Sequence, residues 1–217
     1  MRIKKWVSIM LAGIMAMSIN MVSFAEEGGQ EDYGEVTRKE LVTKYQLTED
    51  EIIHMKENIE SALAKANNGR STIREGESTE QVIPISENLR LVISTNADTD
   101  NKNVNEKVAY RTTITGTFII ENVLGMDIVT LNSVGVFERD GRTCNPVDAY
   151  GTYDTFVWTV TDVNSRLSSA GYNAWVRNSF DGECNIGIDP ISMTIFSFDY
   201  TCTINCDANG NYYTSWS

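Results

Sequence analysis

Period-two alternation constrains this chain more than any other feature, and it is clearest over residues 110–121. Tyr110, Thr112, Ile114, Gly116, Phe118 and Ile120 fall on one side of an extended chain, and Arg111, Thr113, Thr115, Thr117, Ile119 and Glu121 on the other. One side is mainly apolar and the other mainly threonine, the pattern of a half-buried strand. The branched Cβ atoms of threonine and isoleucine fit a pleated surface better than a helix. A second run follows a short glycine-containing break and is closed by Asp140-Gly141, so residues 109–142 read as the central hairpin of an antiparallel β domain. The second run changes phase, with Val129 and Leu131 on one parity and Val134 and Val136 on the other. A β-bulge near Asn132-Ser133, beside Gly135, produces such a switch, and so do two shorter strands joined by a kink.

Short β runs continue on both sides. Val82-Ile83-Pro84-Ile85 suits an edge strand, where the missing proline N–H costs no ladder bond. Residues 89–94 follow as a strand, and the polar stretch 96–107 reads as a loop. After the hairpin comes a loop with Cys144 and Pro146. Residues 152–161 then alternate, with Phe156, Trp158 and Val160 on one side, and Tyr172, Ala174, Val176 and Phe180 share a parity in the next run. A loop holding Cys184 and Pro190 leads to a long run over 191–204, and a turn at 207–211 precedes a last strand at 212–216. Roughly eight short strands separated by turn signals predict a mainly β fold, an antiparallel β-sandwich or partly open barrel, immunoglobulin-like or jelly-roll-like, over residues 82–217. Strands and helices nowhere alternate, which excludes a parallel α/β sheet.

The front of the chain reads differently. Residues 1–25 have the form of a signal peptide: Arg2, Lys4 and Lys5, then an apolar stretch, then Ser23-Phe24-Ala25 as a small-x-small cleavage site. No cysteine sits near its end for a lipid anchor, and no LPxTG-like pattern or apolar tail follows, so the expected product is secreted or held non-covalently at the surface. Residues 26–35 are acidic with little to bury and are expected to be disordered. Two capping boxes come next, Thr37-Arg38-Lys39-Glu40 and Thr48-Glu49-Asp50-Glu51, the second with Leu47 and Ile52 as its hydrophobic staple. They predict a helical annex over 36–68, with Ile52, Met55, Ile59, Leu63 and Ala66 as the apolar stripe of the second helix and Gly69 as its C′ residue. Residues 69–81 are polar and read as a linker.

Charge and residue type narrow the function. The formal charge is −12. Without residues 1–25 it is −15, from 15 basic and 30 acidic groups over 192 residues. This balance disfavours nucleic acid and anionic lipid as partners. The single histidine, His54, lies on the second helix, far in sequence from the serines and cysteines of the β domain, so no nucleophile–histidine pair is indicated. Asn96-x-Asp98-x-Asp100 and Asp207-x-Asn209-x-Asn211 present alternate oxygen ligands but lack the glycine and glutamate of a calcium loop, and turn chemistry accounts for them. No catalytic residue, metal ligand or cofactor site is assigned. The four cysteines invite disulfides in an exported chain. Cys202 and Cys206 lie about 13 Å apart if both sit in one strand, too far to pair. A simple meander brings Cys144 and Cys184 to one end of the sheet, the favoured pair, yet that leaves the other two unpaired, and a crossed topology stays open.

Aromatic residues give the remaining lead. Trp158 shares a side with Phe156 and Val160, as a core residue does, whereas Trp175 has the opposite parity to Tyr172, Ala174 and Val176. Tyr212, Tyr213 and Trp216 crowd the last strand. Together Trp175, Tyr212, Tyr213 and Trp216 form a candidate ligand-binding platform for a cell-wall glycan or a surface protein. The alternative is that these rings close the end of the core. The export signal, the short helical segment, the line EQVIPISENLRLVIS and the strand CTINCDANGNYY resemble in layout uncharacterised small secreted β proteins of low-GC Gram-positive bacteria. That resemblance implies location and no activity. The expectation is therefore an exported, non-enzymatic binding domain. Its rivals are a glycoside hydrolase with paired carboxylates and an antimicrobial or toxin-like protein whose helical segment is a removable pro-region.

Overall fold

The computed structural model describes residues 39–69, 72–100, 110–156, 158–186 and 193–217. The signal-peptide and acidic stretches, the start of the first capping box and most of the 96–107 segment lie outside them. The described residues fall within one unit, Asp32–Ser217.

Among the described residues, ten strands form two antiparallel sheets that do not close into a barrel, so the sandwich expectation holds. They are β1 (Ile73–Arg74), β2 (Ser78–Pro84), β3 (Leu89–Asp100), β4 (Tyr110–Asn122), β5 (Asp127–Arg139), β6 (Cys144–Thr155), β7 (Trp158–Leu167), β8 (Asn173–Ile186), β9 (Met193–Asp207) and β10 (Asn211–Trp216). The first sheet is ordered β2-β3-β4-β5-β6 and the second β1-β10-β9-β8-β7, so each is largely a meander. The chain changes sheet twice, between β1 and β2 and between β6 and β7. The second change splits the run read from sequence as one strand at 152–161: Trp158 is 3 % exposed, while Phe156, at the corner, is 37 % exposed. The stretch 69–81 is not simply a linker, since β1 and most of β2 lie in it and Ile73 is buried.

The hairpin β4–β5 is central to the first sheet, paired in register from Tyr110↔Arg139 to Ile120↔Val129. No bulge interrupts it at Asn132-Ser133. The irregularities fall instead between Ile120 and Glu121 and, on the β6 side, between Val136 and Phe137. Leu131, Ser133, Gly135 and Phe137 point toward the facing sheet, so the apparent phase switch arises because Val134 and Val136, buried at 7 % and 6 % exposure, lie on the other face of β5 while the inward sites hold Ser133 and Gly135. The glycine has a packing reason: a Cβ there would run into Val176 Cγ2 of the facing sheet. Gly151 is placed likewise, a Cβ meeting the Phe180 ring at 2.7 Å. Pro84 closes edge strand β2, and Pro146 sits beside the bulge on edge strand β6.

Between the sheets, Phe118 lies 5.2 Å from Tyr200 and 5.4 Å from Trp216 by ring centroid, and Trp158 lies 4.6 Å from Phe198. Two buried polar contacts fix how the sheets face each other: Thr95 Oγ1 to Thr214 Oγ1 at 2.6 Å, and Asn178 Nδ2 donating to Ser133 Oγ at 2.7 Å. A slip between the sheets would strand these groups without partners.

The helical segment completes this core. Residues 39–43 are helical, followed by α1 (Glu49–Ile53) and α2 (Met55–Asn68), separated at His54. Leu41, Leu47, Met55, Ile59 and Leu63 join the same buried cluster as Leu89, Ile120 and Phe198, and α2 lies against β2, β3 and β10. Gly69 ends α2 at φ −100°, not in the left-handed conformation expected of a C′ glycine. The Thr48–Glu51 capping box forms as predicted. Glu51 does more than cap, because its Oε1 accepts from Ser86 Oγ (2.5 Å) and Asn88 N (2.9 Å) while Oε2 accepts from Thr48 N (2.8 Å) and Asn88 Nδ2 (3.1 Å). Burial raises its pKa, but these hydrogen bonds outweigh that and lower it from 4.5 to about 2. The Asn122 side chain makes a second tie, donating to Tyr45 O at 3.1 Å and accepting from Leu124 N and Met126 N in the β4–β5 turn.

Candidate functional site

Strand register decides which aromatics are available. Tyr212 and Trp216 are 0 % and 1 % exposed, so these two platform candidates belong to the core. Their parity on β10 is that of Thr214, which faces β3, and Trp216 stacks 5.9 Å from Phe180. Tyr213, between them, points the other way and is 37 % exposed. The last strand's crowd of rings therefore divides by face, and sequence reasoning merged the two.

On the outer face of the second sheet, Trp175 pairs across with Asn205, and Asn205 with Tyr213. Residues directly opposite in antiparallel strands share a face, so these three form one row across β8, β9 and β10. The predicted residues Trp175 and Tyr213 thus come together, two strand spacings or about 10 Å apart, with an amide between them. Trp175 is half-buried: the Arg177 guanidinium lies 5.1 Å from its ring centroid and donates from Nε to Thr203 Oγ1 at 3.2 Å. Arg177 also stands opposite Arg166 of β7. Both arginines are exposed, and among the described residues neither has a carboxylate partner, unlike Arg90, Arg111 and Arg139. No signal in the linear sequence marks this pair, because hairpin register alone creates it.

Further along the same face, past the neutral row Asn164–Ser179–Thr201, Asp162, Asp181 and Asp199 stand side by side. Burial and then the charges of Asp199 and Asp162 push the Asp181 carboxyl above its ordinary pKa. The outer face therefore carries a cationic row and an anionic row about 13 Å apart along the strands, at ~3.3 Å per residue.

The other candidates resolve as local structure. Asp207 accepts from Asn209 N and Asn211 N, both at 2.9 Å, and from Asn211 Nδ2 at 2.7 Å, with Gly210 at φ 81°. Its oxygens organise a turn, and these bonds, against the effect of burial, lower its pKa. Asn96 and Asp98 lie within β3 and not in a loop. His54 sits between Asp50 (3.6 Å) and Glu57 (3.4 Å) at the helix break. Cys144 does not stand against Cys184: its Sγ lies 2.6 Å from Cys206 Sγ, while Cys184 pairs across with Trp158 and Phe196. The meander expected from sequence breaks at the β6–β7 corner, which sends Cys144 and Cys184 to different parts of the sandwich.

A shallow depression of about 230 Å³ is lined by Tyr45, Asp127, Ile128, Thr130, Asp154, Thr155 and Phe156. Lys44 Nζ lies 5.3 Å and 5.2 Å from the ring centroids of Tyr45 and Phe156. Among the described residues no helix is long and apolar enough to cross a membrane.

No protein-family model, curated protein or solved structure matches the chain.

Proposed function

We propose that the protein is a non-enzymatic binding domain acting outside the cell or at its envelope, and that the outer face of the second sheet holds a wall glycan bearing acidic groups. The row Trp175–Asn205–Tyr213 carries this reading. Two aromatic rings flanking an amide offer apolar faces for sugar C–H surfaces and a donor and acceptor for hydroxyls between them. The adjoining Arg166–Arg177 pair supplies the complement for a carboxylate or phosphate, which guanidinium groups grip in bidentate fashion. In a chain of charge −12, two neighbouring cations without a carboxylate partner among the described residues form a local exception, and the aspartate row repels the ligand's anionic end from the opposite side. The export and non-covalent surface retention expected from the sequence accord with such a role.

The test is retention on acidic and neutral cell-wall fractions by the protein lacking residues 1–25, wild type against Trp175→Ala, Tyr213→Ala and Arg177→Ala. Both aromatic variants lose retention on either fraction, and Arg177→Ala loses it on the acidic fraction alone. Equal retention of all four proteins on every fraction removes the proposal.

A second reading follows from the depression beside Tyr45, where Asp127 and Asp154 border an aromatic wall. Paired carboxylates flanking a sugar are the apparatus of a glycoside hydrolase. Release of reducing sugar by wild type, abolished by Asp127→Asn or Asp154→Asn, would favour it.

A further inference from the structure

Cys144 opens β6 on the edge of the first sheet, where its N–H donates to Gly171 O at 2.7 Å and its carbonyl accepts from Gly171 N at 3.0 Å. This bridge stitches the start of β6 to the segment leading into β8 of the second sheet. Cys206, near the end of β9, has Ala174 on one side and Tyr212 on the other. The two sulfurs stand 2.6 Å apart, on residues 0 % and 2 % exposed. Unbonded sulfur atoms do not approach so closely, and a bonded pair at about 2.0 Å is a small adjustment away. We infer that Cys144 and Cys206 form a disulfide joining the two sheets, and that Cys184 and Cys202 remain thiols.

The second half rests on register. Cys184 lies opposite Phe196, and Cys202 opposite Asn178. Six residues of β9 separate Phe196 from Cys202, about 20 Å at ~3.3 Å per residue, against the roughly 7 Å between Cα atoms that a disulfide spans. Cys202 and Cys206, on one strand, are about 13 Å apart by the same rise. In the finished fold burial pushes the Cys184 and Cys202 thiols up to about 12, so neither exchanges once the sheets have closed.

The chemistry is exchange with a low-molecular-weight disulfide outside the cytoplasm. A thiolate of the pair attacks the oxidant's S–S bond, releases one oxidant thiol and leaves a mixed disulfide. The second cysteine then displaces the other oxidant thiol and closes the protein S–S bond. The two cysteines lose two electrons and two protons, and the oxidant is reduced to two thiols. Since both sulfurs are buried in the finished fold, exchange takes place during folding, before the sheets close.

The test refolds the full chain in oxidised and reduced glutathione, collects the monomer, alkylates it in denaturant without reductant and maps the peptides. Alkylation at Cys184 and Cys202 only is expected, with a reducible cross-linked peptide holding Cys144 and Cys206 and a mass about 2 Da below the reduced chain, the two hydrogens removed. Cys184→Ser and Cys202→Ser leave that peptide in place, whereas Cys144→Ser frees Cys206 for alkylation. Four alkylated cysteines in the refolded monomer, or a link from Cys144 to Cys184, overturns the inference. The wild-type map decides the matter even if a variant fails to fold.

Discussion

Replacing Glu51 by glutamine tests whether one buried carboxylate locks the helical segment to the sandwich. The side chain is 6 % exposed and accepts from Thr48, Ser86 and Asn88. Glutamine keeps the shape but turns one acceptor into a donor. Whichever way the amide is placed, its NH2 faces donors, either the backbone N–H of Thr48 or that of Asn88. The pKa falls from 4.5 to about 2, a difference that corresponds to about 3 kcal/mol of stability at neutral pH, an upper figure for the charge alone. The sign follows from the direction. A carboxyl held below its unfolded value stabilises fully above pH 4.5 and loses that contribution as pH falls toward 2. Its share should drop to roughly 1.5 kcal/mol by pH 3. The assay is urea unfolding of wild type and Glu51→Gln at pH 7, 5 and 3, followed by tryptophan fluorescence. The stability gap should be widest at pH 7 and shrink by about half at pH 3. A gap that does not change with pH, or a variant as stable as wild type at pH 7, would refute the reasoning.

Other perturbations probe other layers. Gly135→Ala drives a methyl group into Val176 and should cost about 1–3 kcal/mol by chemical denaturation, as overpacking does, and an unchanged midpoint would contradict the close approach. Asp181→Asn relieves like charges directly opposite one another and should stabilise by about 0.2–1 kcal/mol. Because the Asp181 pKa is raised, its ionised form is the destabilising one, so that gain should fade as pH falls through the carboxylate range; a gain that persists in acid would be inconsistent with it. Trp216→Ala should cost about 3–5 kcal/mol as a core truncation, whereas Trp175→Ala, which removes a half-buried ring and its cation–π contact with Arg177, should cost less. The reverse order in thermal melts would mean the face assignment is inverted.

How much of this was legible depended on whether one strand carried the signal or two. The alternation at 110–121 is a property of a single strand, and it identified β4 and its inward face correctly. The second capping box is local as well, and Thr48, Glu51, Leu47 and Ile52 act as their types and spacing require. Edge strands were harder. β6 is exposed on both sides for much of its length, so Asp148, Tyr150, Tyr153 and Asp154 give no apolar face, and its first half read as a loop. In the linear sequence Gly135 looks like a mark of backbone irregularity, but its role is to admit Val176 from a strand some forty residues later. That requirement sits on the facing sheet and leaves no local trace.

The candidate site shows the same limit more sharply. Parity places Trp175 on the side opposite the apolar residues of its strand, but parity on β10 does not say which side is outer, so Tyr212, Tyr213 and Trp216 look like one group in the linear sequence. The contacts of Thr214 with Thr95 and of Trp216 with Phe118, across the sandwich, fix the inward direction of β10 and leave Tyr213 outside. The charged rows are further from reach, since Arg166 meets Arg177, and Asp162 meets Asp181 and Asp199, only through the registers in which β7, β8 and β9 pair. Like charges placed opposite one another weaken a sheet, and a sequence shaped for stability alone would alternate their signs. Here each sign is gathered into its own row on one face, with the aromatic row beside the arginines, a departure from local consistency that the proposed binding role would account for. The fold bears the repulsion within each row, and a bound anion lying from the arginines toward Tyr213 would relieve it on the cationic side alone.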